Sequence, residues 1–166
     1  MIVMKRFLIL LLFLLLLCGC AKDRTEPVIQ EEEKQETTAD KEDKQMRLEI
    51  EANGQTLYAD FADNSSAQAF KEKLKEGAIR VALEDYGNFE KVGDLPWSLP
   101  RNDTNITTIP GDVILYQGNM ITIYYSENTW SFTYLARIPN ATKQSLLEVL
   151  GQGDVEVTFR LCELTI

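Results

Sequence analysis

Residues 109–138 read IPGDVILYQGNMITIYYSENTWSFTYLARI. Three apolar runs lie within thirty residues, separated only by short polar breaks. Val113–Tyr116 and Met120–Tyr125 are rich in β-branched and aromatic residues and flank Gln117-Gly118-Asn119. Apolar runs of four to eight residues bounded by turn formers are strand signals, and a short break with a glycine is a hairpin signal. From Trp130 to Ile138 the pattern alternates, with Trp130, Phe132, Tyr134, Ala136 and Ile138 on one side. The stretch therefore predicts three consecutive antiparallel strands.

The same logic extends in both directions. Upstream, Leu48, Ile50 and Ala52 alternate with charged residues, Asn53-Gly54 marks a hairpin, and Leu57, Ala59 and Phe61 return. Asp63-Asn64-Ser65-Ser66 supplies capping oxygens for a helix bearing Ala67, Phe70 and Leu74, ended by Gly77. Ile79, Val81 and Leu83 predict a further strand. Residues 85–110 carry prolines and glycines and read as a long loop, with a short strand near Ile106–Ile109. Downstream, Asn140 or Thr142 caps a short helix with Leu146, Val149 and Leu150, and Val155, Val157, Phe159 and Leu161 form the last strand. The expected class is mainly β, about eight antiparallel strands with two short helices. Closure into a barrel removes exposed edges; a two-layer α+β sandwich is the runner-up. The domain runs over residues 46–166.

The first 45 residues have a different character. Lys5 and Arg6 precede eleven apolar residues, Phe7–Leu17. A helix of that length covers roughly 16 Å, about half a bilayer core, so it suits a secretory leader better than a span. The leader ends Leu17-Cys18-Gly19-Cys20, which resembles a bacterial lipobox. That resemblance implies a signal peptide over 1–19, loss of Cys18 with it, and a lipid on Cys20. A multiply acylated cysteine anchors durably, which places the chain in the cell envelope, facing outside the cytoplasm. Residues 20–45 include EEEKQETTADKEDKQ and little to bury, and are expected to be a disordered acidic tether.

Composition narrows the chemistry. The formal charge is −9, and loss of Lys5 and Arg6 would make it more negative by two. Such a chain is repelled by phosphate backbones, so nucleic acid is not an expected partner. There is no histidine, which removes Ser-His and Cys-His nucleophile systems and most zinc sites. With Cys18 and Cys20 in the leader region, Cys162 has no disulfide partner in the domain and reads as a small strand residue. No cofactor, no metal and no catalytic residue is indicated. Glu84, Asp85 and Glu90 lack regular calcium-ligand spacing.

Longer motifs carry a family resemblance. GNFEKVGDLPWSLP (87–100), IPGDVILYQGNMITIYY (109–125), WSFTYLARI (130–138) and LGQGDVEVTF (150–159) together resemble the bacterial cyclophilin-like family. Ala136 stands where a glycine is usual before the arginine. The resemblance implies a cyclophilin-like barrel that is not a typical prolyl isomerase. Cyclophilins hold a proline in an apolar, aromatic pocket with an arginine, a tryptophan and a histidine; no histidine exists here.

On that basis Arg80, Trp97, Trp130 and Tyr134 are candidate ligand-binding residues. Each has a plainer reading. Arg80 is also a solvent-facing strand position, Trp97 also a plug for the barrel mouth, and Trp130 and Tyr134 also core residues on the face of Phe132 and Ala136. Glu90 and Lys91 either pin the long loop by ion pairing or touch a ligand. Asp94 and Asp112 are expected to cap turns. Three functions remain: a module binding a peptide or small ligand beside the 86–110 loop, a weak prolyl isomerase, or a structural partner in an envelope complex. The oligomeric state is left open.

Overall fold

The computed structural model describes residues 46–163. The expected leader, Cys20 and the expected tether lie outside the described residues. Among the described residues the order is β1 (Met46–Ala52), β2 (Gln55–Phe61), α1 (Ser65–Lys75), β3 (Ile79–Tyr86), β4 (Glu90–Asp94), β5 (Thr104–Thr107), β6 (Asp112–Tyr116), β7 (Met120–Tyr124), β8 (Thr129–Arg137), α2 (Lys143–Leu150) and β9 (Val155–Glu163). The strands lie side by side in the order β2-β1-β9-β3-β4-β7-β6-β8-β5, and β2 also pairs with β8. Every pairing is antiparallel.

Local chemistry explains the turns and caps. Asn53 and Gly54 have φ of 51° and 74°, the positive values that a type I′ hairpin needs at both central positions. Ala52 and Gln55 then face each other directly. The Asn64 side chain caps α1 by accepting from the Ala67 amide at 2.9 Å. Of the two residues expected to cap α2, Thr142 does so, in a reciprocal box with Ser145. Cys162 lies in β9, opposite Arg47.

The inner face of the strands carries the core. Leu48, Ile50, Leu83, Val113, Leu115, Ile121, Ile123, Val157 and Phe159 are buried there, joined by Phe70 from α1 and Leu146 and Leu150 from α2. Each large apolar side chain taken from water contributes roughly 1.5–3 kcal/mol. No helix among the described residues is long and apolar enough to cross a membrane.

Three expectations change. Among the described residues there are nine strands, not about eight, because Glu90–Asp94 forms a strand inside the stretch read as loop. It pairs with β3 and with β7. The short strand expected near Ile106–Ile109 begins two residues earlier, at Thr104. The alternation in β8 is also interrupted. Val113 faces Ala136 while Ile114 faces Tyr134, so Leu135 is an extra residue in the strand. Such a bulge turns the chain over. Ala136 joins the inner core, while Phe132 and Tyr134 belong to a separate outer cluster.

The rest of the expected long loop is tied down by its own bonds. The Leu95 and Leu99 amides donate to the carbonyls of Asn119 and Gly118, both at 2.7 Å. The Asn102 carboxamide oxygen accepts from the Ser66 amide at 3.1 Å and the Ser66 hydroxyl at 2.7 Å.

Candidate functional site

The face opposite the core carries a second apolar layer. Register sets it. Glu84 faces Val92 and Tyr86 faces Glu90 across β3 and β4. Glu90 faces Tyr124 and Val92 faces Thr122 across β4 and β7. Ile114 faces Thr122, and Tyr116 faces Met120, across β7 and β6. With a period of two, these side chains share one side of the sheet.

β8 provides the wall. Its second half, from Thr133, pairs with β6, but Thr129–Phe132 pair with β5 instead. The first half thus leaves the plane of β6 and β7 and brings Trp130 and Phe132 along the aromatic layer. Between them lies a cleft of about 420 Å³ lined by Glu84, Tyr86, Phe89, Glu90, Val92, Tyr116, Met120, Thr122, Tyr124, Asn128, Trp130 and Phe132. The volume falls in the usual range for small-ligand sites.

Six of these residues are aromatic, and five of them form one chain of contacts. Tyr86 meets Phe89 edge-on with centroids 5.8 Å apart. Phe89 stacks on Tyr124 at 6.2 Å. Tyr124 reaches Phe132 at 5.5 Å, and Tyr116 meets Phe132 edge-on at 6.1 Å. These spacings suit attractive quadrupole geometry. Tyr124 and Phe132 are buried, Phe89 and Tyr116 are half-buried, and Trp130 is 61% and Tyr86 62% exposed.

The polar groups of the cleft are acids and their partners. Glu90 is only 9% exposed. Burial pushes its carboxyl above the usual range, and the hydrogen bond with the Tyr124 hydroxyl offsets part of that rise. The Tyr124 phenol is raised by burial and by Glu90. Asn128 Nδ2 donates to the same hydroxyl at 3.4 Å.

Lys91, the next residue, points the other way. It is fully buried, and its Nζ lies 2.5 Å from Asp85 Oδ2. It also donates to the Gly153 carbonyl, and the Tyr125 hydroxyl donates to Asp85 at 2.8 Å. Burial alone would raise the Asp85 carboxyl. The hydrogen bonds from Lys91 and Tyr125 outweigh it and hold the carboxyl below its ordinary value. Glu90 and Lys91 therefore divide the two roles weighed from sequence: Lys91 pins the structure, and Glu90 faces the cleft.

The four candidate ligand residues occupy different places. Trp130 lines the cleft. Tyr134 packs against the same outer cluster, beyond the lining. Its hydroxyl accepts from Arg137 Nε at 2.7 Å and donates to Asp112 at 3.1 Å. Burial, with Asp112 nearby, pushes that phenol up to about 12. Arg80 is exposed on β3 and pairs with Glu156 at 3.0 Å. It is four residues from Glu84, roughly 13 Å along the strand. Trp97 packs edge-on against Phe70 at 6.0 Å, at the inner core. Asp112 caps its turn by accepting from the Ile109 amide at 2.9 Å, and it is also fully buried against Arg137.

Tyr86, Phe89, Tyr116, Tyr124 and Phe132 were not singled out from sequence. The available signal was the near-continuous apolar character of VILY and MITIY, which marks strands covered on both faces.

No curated protein matches the chain, and no solved structure does. A family model described as the cyclophilin-like family matches residues 50–160, well over half of the sequence, and covers both the core strands and the outer cleft. The chain belongs to the cyclophilin-like family.

Proposed function

We propose that this chain is a membrane-anchored extracytoplasmic lipoprotein whose cyclophilin-like domain binds a peptide segment or small ligand in the outer aromatic cleft. Cys20 carries the lipid, residues 20–45 act as the tether, and the strand order, with its β2–β8 pairing, is read as a closed barrel. One observation supports the binding reading above the others. A cleft of about 420 Å³ keeps large aromatic surface, including Trp130 and Tyr86, in contact with water. Exposed apolar surface forgoes about 25 cal/mol per Å² relative to burial, and contiguous patches of it mark binding sites.

The test follows the Trp130 indole N–H resonance during titration with capped tetrapeptides and phenylalkyl compounds. A saturable shift at Trp130, with Trp97 unmoved, is the expected result. No saturable shift at millimolar ligand sinks the reading. The anchor is tested separately by palmitate labelling, which Cys20→Ala should abolish.

Prolyl isomerisation is the second reading, favoured by the aromatic socket alone. It requires a donor at the twisted amide. Among the described residues no arginine lines the cleft, and Arg80 is engaged with Glu156. A protease-coupled proline-peptide assay separates the readings: turnover that Arg80→Ala abolishes would promote the enzyme.

A further inference from the structure

We infer that the cleft selects an organic cation, an ammonium or guanidinium group carried on an apolar stem. The inference rests on the binding reading above and names the chemistry of its ligand. Charge complementarity is the first ground. Among the described residues, Glu84 and Glu90 line the cleft and no lysine or arginine does. The nearby cations are committed elsewhere. Lys91 faces the other side of β4 and pairs with Asp85. Lys143 donates to the Asn88 carbonyl at 3.2 Å and sits over the ring of Tyr125, a residue of the inner core. Arg80 is paired with Glu156. The site thus offers negative charge without a resident counter-ion.

The aromatic lining is the second ground. Ring faces carry negative quadrupole density and attract cations, most strongly where water is excluded. Phe89, Tyr124, Phe132 and Trp130 line the same cleft as Glu90, and Tyr124 bonds to it. An ammonium there would meet ring faces and a carboxylate together. Glu90 itself is the third ground. It is more than nine-tenths buried, and its partner is a neutral phenol. A buried acid without a basic neighbour is costly unless a cation arrives to pair with it. An anionic ligand would meet two acids on a chain of net charge −9.

The experiment uses three probes that share one apolar stem: phenylbutylamine, phenylbutanol and phenylbutyrate. Each is titrated into the full chain and followed through the Trp130 indole resonance. The amine is expected to bind about 10-fold more tightly than the alcohol, and the acid more weakly than either. Glu90→Gln should bring the amine to within about 3-fold of the alcohol measured on the same variant. Glu84→Gln, an exposed change that leaves the core untouched, should reduce the amine's advantage too, and added salt should weaken the amine alone. Equal binding of amine and alcohol overturns the cation inference and leaves the binding reading standing. Binding of none of the three overturns both.

Discussion

Replacing Lys91 by methionine tests the most demanding interaction in the domain. The methionine keeps the apolar stem and removes the charge. In the folded protein Lys91 Nζ is fully buried and touches Asp85, the Gly153 carbonyl and, at 5.7 Å, the ring of Tyr125. Without it, Asp85 stays charged and mostly buried. Removing one partner of a buried pair costs about 3–5 kcal/mol. Asp85 keeps the bond from Tyr125 and some water contact, its side chain being 14% exposed, so the low end applies. The expected loss is about 3 kcal/mol, which for a domain of this size lowers Tm by on the order of 10 °C. The assay is urea unfolding followed by tryptophan fluorescence. Combining Lys91→Met with Asp85→Asn removes the stranded charge and should restore more than half of the loss. The pH dependence supplies a second readout. Asp85 is held below its ordinary value of 3.8. Its contribution is therefore present above pH 3.8 and is lost as pH falls through the lower, folded value. Lys91→Met should flatten that acid limb. A loss below about 1 kcal/mol, with an unchanged acid limb, would refute the argument, since it would mean the ammonium gains nothing from its partners.

Three further outcomes follow from the same geometry. Glu90→Gln should stabilise the protein near neutral pH: the folded carboxyl is raised above 4.5, so wild-type stability declines as pH climbs from 4.5 through the folded value, and the glutamine variant should lack that decline in pH-dependent unfolding. Gly93→Val should cost more than about 2 kcal/mol in the same measurement, because a Cβ at position 93 would run into the Ala82 carbonyl and the Val81 and Leu83 side chains of β3. Phe132→Ala should cost about 3–5 kcal/mol whereas Trp130→Ala, at an exposed rim, should cost under about 1 kcal/mol and act on ligand titrations instead.

Most strands were legible because one face of the chain repeats every second residue. Leu48, Ile50, Val81, Leu83, Val157 and Phe159 all sit where alternation places them. β4 was not, since Glu-Lys-Val-Gly-Asp looks like loop: three charged residues and a glycine have poor strand propensity. Lys91 is nevertheless buried because Asp85, opposite it on β3, and the Gly153 carbonyl meet its charge, and the Gly153 contact is a long-range one that no local pattern encodes. The Gly87-Asn88 pair, with φ of 61° and 58°, is a hairpin signal that the loop reading left unused. In β8 the extra residue Leu135 resets the alternation, so Trp130 and Ala136 look like neighbours on one face and are not. The cleft was legible only in part. Its aromatic residues have the composition of core, and which sheet face they occupy depends on register between strands far apart in sequence.

The β2–β8 contact has a kinetic consequence. It consists of two facing residue pairs, Asp60 with Arg137 and Phe61 with Ala136, supplemented by the Ala62 amide on the Leu135 carbonyl. Between β1 and β9 there are seven such pairs. Breathing therefore starts at the short junction, and deuterium should enter its amides before those of β1 and β9. Arg137 sits on that junction while gripping Asp112 and Tyr134, whose ring packs on the outer aromatic cluster. Slow solvent exchange at residues 60–62 is thus a distant gauge of how firmly that cluster is held.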